Sequence, residues 1–338
     1  MNITPSFVVT FETDIKGLVT GNWDRVAKNL MWDVAMKSRP GSTKKELLTW
    51  LLETAAIYPE GQGGNKRFDD IVAASTSLVH THSGAGLRLT RDEIEDNVMA
   101  NNPTVGAMDY ASKWARDMGA AEAYEPQKQL FNLILAGTTA LGYDGVSFFN
   151  STHPVNPNGS SSTYSNVVGT VPIHYAALSG SSEQDKLLQA RRNLGTALAA
   201  IRTQRFVNNI PRFLVPTTMF VQSADYDYAN LVVSAGVIGQ TTNTSAVDPK
   251  NPSRRLEVHA CPELDGETAG TYYIGCEDIL SDELGAFVWS ELVPFNMKTY
   301  GPMDEAVLNR MNQFEWQVDG RNTAIYGHPY LFYRCTSA

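Results

Sequence analysis

The sequence predicts an α+β fold, on three observations. About 45 residues between Thr90 and Gly137 read as nearly continuous helix, long for a globular domain. Just before them, Phe68 to Leu89 alternates loosely in Val, Ser, Thr and His, an extended stretch with little apolar surface to bury. At the other end, Gln313 to Gly320 and Thr323 to Cys335 alternate with aromatic residues and read as two paired strands.

The elements follow in chain order. Trp23, Val26, Leu30 and Val34 recur near helical spacing and predict an amphipathic helix over Trp23–Met36. Arg39-Pro40-Gly41 breaks the chain. After Ser42, Leu47, Leu48, Leu51 and Leu52 predict a second helix over Lys44–Thr54. Tyr58 to Asn65, punctuated by Pro59, Gly61, Gly63 and Gly64, reads as a loop. Phe68–Leu89 then reads as a two-stranded excursion, and an isolated hairpin is marginal in water unless it leans on something else. Thr90-Arg91-Asp92-Glu93 spells a capping box, and Asp92, Glu93, Glu95 and Asp96 place negative charge at the positive end of the helix dipole. Asn102-Pro103 restarts the helix. Val105, Met108, Ala111, Trp114, Ala115 and Met118 mark its packing face. Pro126 begins or kinks a further helix carrying Leu130, Phe131, Ile134 and Leu135, closed by Gly137 as a C-cap.

Tyr143 to Asn166 is irregular. A second clear helix covers Glu183–Gln204, opened by Ser181 or Ser182, with Leu187, Arg191, Leu194, Leu198 and Ile201 on one face and Arg191, Arg192, Arg202 and Arg205 making it basic. Arg212–Pro216 is a short strand, followed by a helix through Met219 to Ala235 and a polar loop from Thr241 to Pro252. Leu256–Cys261, Tyr272–Gly275 and Ala286–Leu292 read as buried strands.

Composition excludes several classes. With 43% hydrophobic residues and 6 Trp the chain can offset the entropy of ordering, which excludes disorder. No window approaches 18 consecutive apolar residues, and Met1–Thr10 lacks a basic region followed by an apolar run, so neither a membrane span nor a secretory signal is expected. The net charge of -9 argues against a sequence-wide affinity for nucleic acid or anionic lipid. The charge is uneven: residues 1–50 hold seven basic and five acidic side chains, residues 261–338 four basic and twelve acidic. The two ends could meet between copies of the chain, or serve solvation alone.

Catalytic and metal chemistry find little to build on. Cys261, Cys276 and Cys335 are odd in number and widely spaced, a reduced-compartment pattern without a zinc motif. His80 and His82 share a strand face but lack a third ligand, and ordinary exposed strand histidines are the simpler reading. Asp69-Asp70 and Asp225/Asp227 could be metal carboxylates, or a solvated face. There is no Gly-x-Ser-x-Gly elbow. Gly61 to Lys66 has the glycines of a phosphate loop, but Arg67 follows the lysine; Gly84-Ala85-Gly86 lacks the third glycine of a dinucleotide site. His153 beside Pro154 could act as a general base, or cap a turn. No cofactor or metal is expected.

One block carries more information than its parts. Thr90 to Asp96 is followed by the long helix, Glu125-Pro126, Leu130-Phe131, Tyr143-Asp144-Gly145, Phe148-Phe149, His153-Pro154-Val155 and Asn156-Pro157-Asn158. In order and spacing this block resembles the Mu-like major head (capsid) subunit family. Pro211-Arg212-Phe213-Leu214-Val215-Pro216 with the following helix, and the Asn322–Cys335 ending with Gly327 and Pro329, are similar to units common in tailed-phage capsid proteins. The resemblance implies the Hong Kong 97-type fold: an N-terminal arm at 1–55, an extended E-loop at 56–91, a peripheral domain at 92–171 and 293–338 containing a long spine helix, and an axial domain at 172–292. It implies a non-enzymatic subunit, assembling in the host cytoplasm through hexamers and pentamers into a head around double-stranded DNA. The partners would be other copies, portal, scaffolding and decoration proteins, and DNA held by non-specific contact, with no membrane. The residues implicated are structural: Tyr143, Asp144, Gly145, Phe148, Phe149, His153 and Pro154 in the motif, and Met108, Trp114 and Met118 in spine-helix packing. Some relatives join a lysine to an asparagine, for which Lys66 is the candidate. The alternatives are a cytoplasmic α/β enzyme with an unrecognised site, and another phage structural or adhesin-like protein.

Overall fold

The computed structural model describes residues 5–51, 73–90, 92–93, 107–159, 162–206, 209–234, 237–238, 241–242, 256–279, 285–300 and 313–337. The first described element is a helix, α1 (Pro5–Ala27), followed by a single turn, α2 (Trp32–Ala35). The expected helix over Trp23–Met36 is therefore divided. Asn29 turns the chain, its side-chain amide donating to the Arg25 carbonyl at 2.8 Å. Strands β1 (Met36–Pro40) and β2 (Lys45–Leu51) follow. The expected helix over Lys44–Thr54 is thus a strand. Glu46, Leu48 and Trp50 are buried while Leu47 and Thr49 are exposed, a period of two that the leucine spacing had concealed.

The two-stranded excursion exists, but its strands are not each other's partners. β3 (Ala73–Val79) pairs antiparallel with β2, whereas β4 (Thr81–Thr90) pairs antiparallel with a much later strand. The hairpin is β2–β3; Lys66 and Asp69-Asp70 lie outside the described residues. At Thr90 the capping box forms: the Glu93 carboxylate accepts the Thr90 N–H at 2.8 Å and the Thr90 hydroxyl accepts the Glu93 N–H at 3.3 Å. Asn102-Pro103 lies outside the described residues. The helix α3 (Ala107–Ala136) then runs unbroken through Pro126. Gly137 ends it for a reason other than left-handed capping. A Cβ there would sit 2.7 Å from the Phe149 ring, so glycine is what allows that ring to close the helix end.

After short strands β5 (His153–Pro154), β6 (Thr163–Tyr164) and β7 (Val167–Val168) comes α4 (Glu183–Arg202), capped reciprocally by Ser182 and Asp185. β8 (Leu214–Val221) is longer than expected. Met219 lies in it, not in the following helix, because β8 is an interior strand; α5 (Tyr226–Ser234) begins after it. Minor strands β9 (Val237–Ile238) and β10 (Thr241–Thr242) precede β11 (Glu257–Ala260), β12 (Tyr272–Asp278), β13 (Phe287–Tyr300), β14 (Gln313–Tyr326) and β15 (Phe332–Cys335).

Two sheets organise the molecule. The four-stranded sheet runs β1-β13-β14-β4, dominated by the two 14-residue strands β13 and β14. The five-stranded sheet runs β11-β8-β12-β15-β7. Hence Gln313–Gly320 and Thr323–Cys335 are not a strand pair: the first continues to Tyr326 in one sheet, and β15 belongs to the other. A boundary at 292/293 likewise falls inside β13. The main core gathers around the five-stranded sheet, with Leu130, Phe131 and Ile134 of α3 and Leu194, Leu198 and Ile201 of α4 all nearly inaccessible. A smaller cluster joins Ile15 and Val19 of α1 to Ala111 and Ala115 of α3 and to Phe314 and Trp316 of β14. The helices cross closely there: a Cβ on Gly119 would collide with the Val19 carbonyl oxygen. A third cluster seats Leu48, Trp50 and Leu78 of the hairpin on Val288. Among the described residues no helix is long and apolar enough to cross a membrane.

Candidate functional site

The residues singled out between Tyr143 and Pro154 converge on the seam between the two sheets. Gly145 takes a φ of +80°, a left-handed turn that glycine adopts without strain, and the Gly142 N–H donates to the Val146 carbonyl at 2.7 Å. This turn delivers Phe148 and Phe149, whose rings meet edge-on at 5.0 Å, to the two sheets. The Phe148 ring lies 5.0 Å from Phe287 of β13 and stacks at 4.6 Å on Tyr326 of β14. Phe149 lies 5.4 Å from Tyr273 of β12 and 6.3 Å from Phe332 of β15. Adjacent residues thus clamp the two sheets together, which explains why both positions are aromatic.

His153 locks the turn. Its side chain is fully buried, and Nδ1 donates to Asp144 Oδ2 at 2.6 Å. Nε2 faces the Phe148 carbonyl and Asn166 Oδ1, both at 3.1 Å, and the ring stacks on Tyr164 at 5.0 Å. Both ring nitrogens thus lie within hydrogen-bond distance of oxygen atoms. A general base must reach a substrate proton; this ring is buried and engaged on both sides. Pro154 pairs in the short β5–β6 ladder with Thr163.

Asn166 is the residue that sequence reasoning missed. Its Oδ1 accepts the Asn150 N–H at 2.9 Å, and its Nδ2 donates to the carbonyls of Phe148 at 2.7 Å, Pro329 at 3.2 Å and Phe332 at 3.3 Å. It ties the motif to the C-terminal strand. The only sequence signal was a lone asparagine before an apolar pair. Next to this seam Arg212 is buried, its guanidinium 3.6 Å over the Tyr330 ring and 4.0 Å over Phe206, with Asp278 Oδ2 3.7 Å from Nη1. Tyr143 completes the seam, 5.3 Å from Trp50 of the hairpin and 5.9 Å from His328. Burial drives its phenol above the usual range.

The spine-helix residues are spread more widely. Trp114 is partly buried against the α1–α3–β14 cluster, whose inaccessible helix positions are Ala111 and Ala115; Met118 is half-buried. Met108 stands in the first turn of α3, and its side chain lies outside the described residues. His80 and His82 part company. His80 is buried, with Nδ1 2.8 Å from the Thr43 carbonyl and Nε2 2.9 Å from Ser290 Oγ, and it pins the hairpin root to β13; His82 is exposed beside Asp319. Asp225 is held by His174 Nδ1 at 2.5 Å. All three cysteines are free, and burial pushes their thiols upward, Cys335 to about 12.

Turn, aromatic clamp, histidine lock and long helix form one connected frame, and comparison with known proteins gives it a family. The profile of the family described as "Mu-like prophage major head subunit gpT" matches residues 23–193, half of the chain. The chain belongs to that family. The major capsid protein of Escherichia phage Mu is 29% identical over 109 residues, 31% of this chain and 33% of that protein, so the match spans a third of the curated relative. The capsid structure of cyanophage P-SCSP1u superposes with a TM-score of 0.52 at 12% identity, covering 90% of this chain and 86% of that one, which shows a shared fold. The bacteriophage JBD30 capsid is similar at a TM-score of 0.46 and 12% identity, covering 90% of this chain and 64% of that chain. The Mu-like head subunit fold here is accordingly α+β and of the Hong Kong 97 type.

Proposed function

We propose that the chain is the major capsid protein of a tailed bacteriophage, building the head of the virion from hexamers and pentamers of itself. The observation that carries this reading is the family match over residues 23–193 together with the capsid fold. In this reading the hairpin β2–β3 and the segment beyond it are the E-loop, α3 is the spine helix of the peripheral domain, and the five-stranded sheet with α4 and α5 is the axial domain. The arm begins in α1, which packs on the spine helix of its own subunit. The work of such a subunit is association. An interface of standard size buries roughly 1,600 Å2, about 800 Å2 from each partner. Many modest interfaces closed into a shell must break together. Exposed apolar side chains such as Leu47, Tyr110, Leu141 and Ile279 are candidate contacts. Portal, scaffolding and decoration proteins are the expected further partners. An acidic shell would enclose double-stranded DNA with non-specific, salt-sensitive contacts only. No catalytic step is assigned.

The test is assembly. The purified chain, in the presence of scaffolding protein and at rising concentration, is expected to elute as rings or shells and to show hollow icosahedra in negative stain. A chain that stays monomeric under every assembly condition, while folded by circular dichroism, would overturn the proposal.

A further inference from the structure

A cavity of about 620 Å3 lies between α1, α2, α3 and β13, away from the seam. Its walls include Trp23, Trp32 and Trp289, with the carboxylates Glu122 and Glu291; the other charged groups facing it are Lys16 of α1 and Asp33 of α2. Glu122 is the odd residue. It is 9% exposed, and its Oε1 is buried without a hydrogen-bond partner. Its helix neighbours three and four positions away are Met118, Gly119, Glu125 and Pro126, so no cation of its own helix reaches it. Among the described residues no ion pair joins it to Lys16. A buried acceptor left unmet is costly and calls for an explanation.

The surroundings define the chemistry of a missing partner. Three acids against one lysine favour a cation. Tryptophan walls attract an organic cation through its charge and its methylenes alike. They suit poorly a hard metal ion, which takes six or more oxygen ligands. A single orphan oxygen fits the point donor of an ammonium better than a guanidinium fork, which wants two oxygens in line. We propose that this cavity binds an alkylammonium group, its charge held by Glu122 with support from Glu291 and its methylenes lying against the tryptophans. The ligand could come from two sources, a free diamine or the lysine side chain of a neighbouring copy. Burial alone raises Glu122 to about 7 and also raises Glu291, so binding should tighten as pH rises and these carboxyls ionise.

Calorimetry with the full-length purified chain tests this, using 1,5-diaminopentane as probe and 1-pentanol as its uncharged counterpart. Saturable diamine binding is expected at pH 8. It should be at least tenfold weaker at pH 5 and in Glu122→Gln, several-fold weaker in Glu291→Gln, and absent for pentanol. Both variants keep the side-chain shape and remove a charge, and their folding is checked by near-ultraviolet circular dichroism. Assembled particles separate the sources. If a copy supplies the lysine, a cryo-EM map shows its side chain in the cavity and the particles no longer take up diamine. If the ligand is free, particles and subunits bind it alike. Equal binding by the parent and Glu122→Gln, or equal uptake of pentanol, would overturn the proposal. So would a chain that binds no diamine at pH 8 and whose cavity stays empty of any neighbouring side chain in particles.

Discussion

The two sheets of this molecule solve the burial problem differently. The five-stranded sheet is covered by α4, α5 and the C-terminal half of α3, and its core is one continuous body of side chains, from Phe131 through Phe220 to Tyr333. The four-stranded sheet is built on two long strands; one end of it, through Met36, Phe287 and Trp289, joins that same core, and the rest lies on two small clusters, one under α1 and one under the hairpin β2–β3. One half has buried its apolar surface within the chain. The other spends its length on reach, and a small cluster holds an extended element in place without making it stable alone. In the proposed reading, a subunit that works by touching copies of itself needs both, a self-sufficient body and a part whose surface is completed by neighbours. Phe148 and Phe149, one on each sheet, are where the two strategies are joined.

The sharpest way to break that joint is His153→Ala. The substitution leaves Asp144 buried and unpaired, and removes the partner that holds the Phe148 carbonyl and Asn166. Leaving a buried carboxylate without its hydrogen-bond partner costs about 3 kcal/mol. Chemical denaturation of the unassembled chain should show a midpoint shift of that size, and the loss should appear for both sheets together. A cost under about 1 kcal/mol would mean that the sheets are held by their aromatic contacts alone.

How much of this was legible beforehand differs by region. The capping box at Thr90 could be read from residue type and spacing, and the start of α4 could be narrowed to Ser181 or Ser182, because a cap is a local matter of orphan amides. The Tyr-Asp-Gly, Phe-Phe and His-Pro block was visible as a pattern, but its purpose was not, since the partners of Phe148 and Phe149 lie more than a hundred residues downstream. Asn166 was invisible for the same reason: its meaning comes from carbonyls at Pro329 and Phe332. The strand at Lys45–Leu51 was misread because paired leucines satisfy helical spacing as well as they satisfy one buried face of a hairpin. Tertiary context then decided, through Trp50 and Leu48 sitting on Val288. Local chemistry was readable; pairing at long range was not.

A smaller effect probes the helix shared by both halves. Trp114 looks from sequence like the anchor of the spine helix, but the inaccessible positions are Ala111 and Ala115, with Trp114 on the flank of that contact. Full burial would make Trp114→Ala cost about 3–5 kcal/mol; a half-buried flank should cost about 2 kcal/mol in the unassembled chain. The same variant measured in assembled particles sharpens the comparison. If a neighbouring copy covers the exposed side of the ring, the particles should lose more thermal stability than the subunit does. Equal losses in the two states would place Trp114 wholly within its own subunit.

The smallest expected effect on the subunit carries the most weight for the comparison. On the hairpin, Leu48 and Trp50 face inward, while Leu47 is 67% exposed and Val79, diagonal to it across the β2–β3 ladder, is 48% exposed. An exposed apolar pair contributes little to folding, so Leu47→Asn should change the stability of the isolated chain by no more than about 0.5 kcal/mol. If this outer face is completed by a neighbour, the same substitution places a polar amide in an apolar contact, repeated at every copy of the interface. Light scattering should then show the concentration needed for assembly rising several-fold while the denaturation curve stays where it was. The matched inward change, Leu48→Asn, should reverse the order, unfolding the hairpin root before assembly can be measured. Were Leu47→Asn to leave assembly untouched, the hairpin's outer face would be open to solvent in the particle, and the reach of the four-stranded sheet would need another contact to justify it.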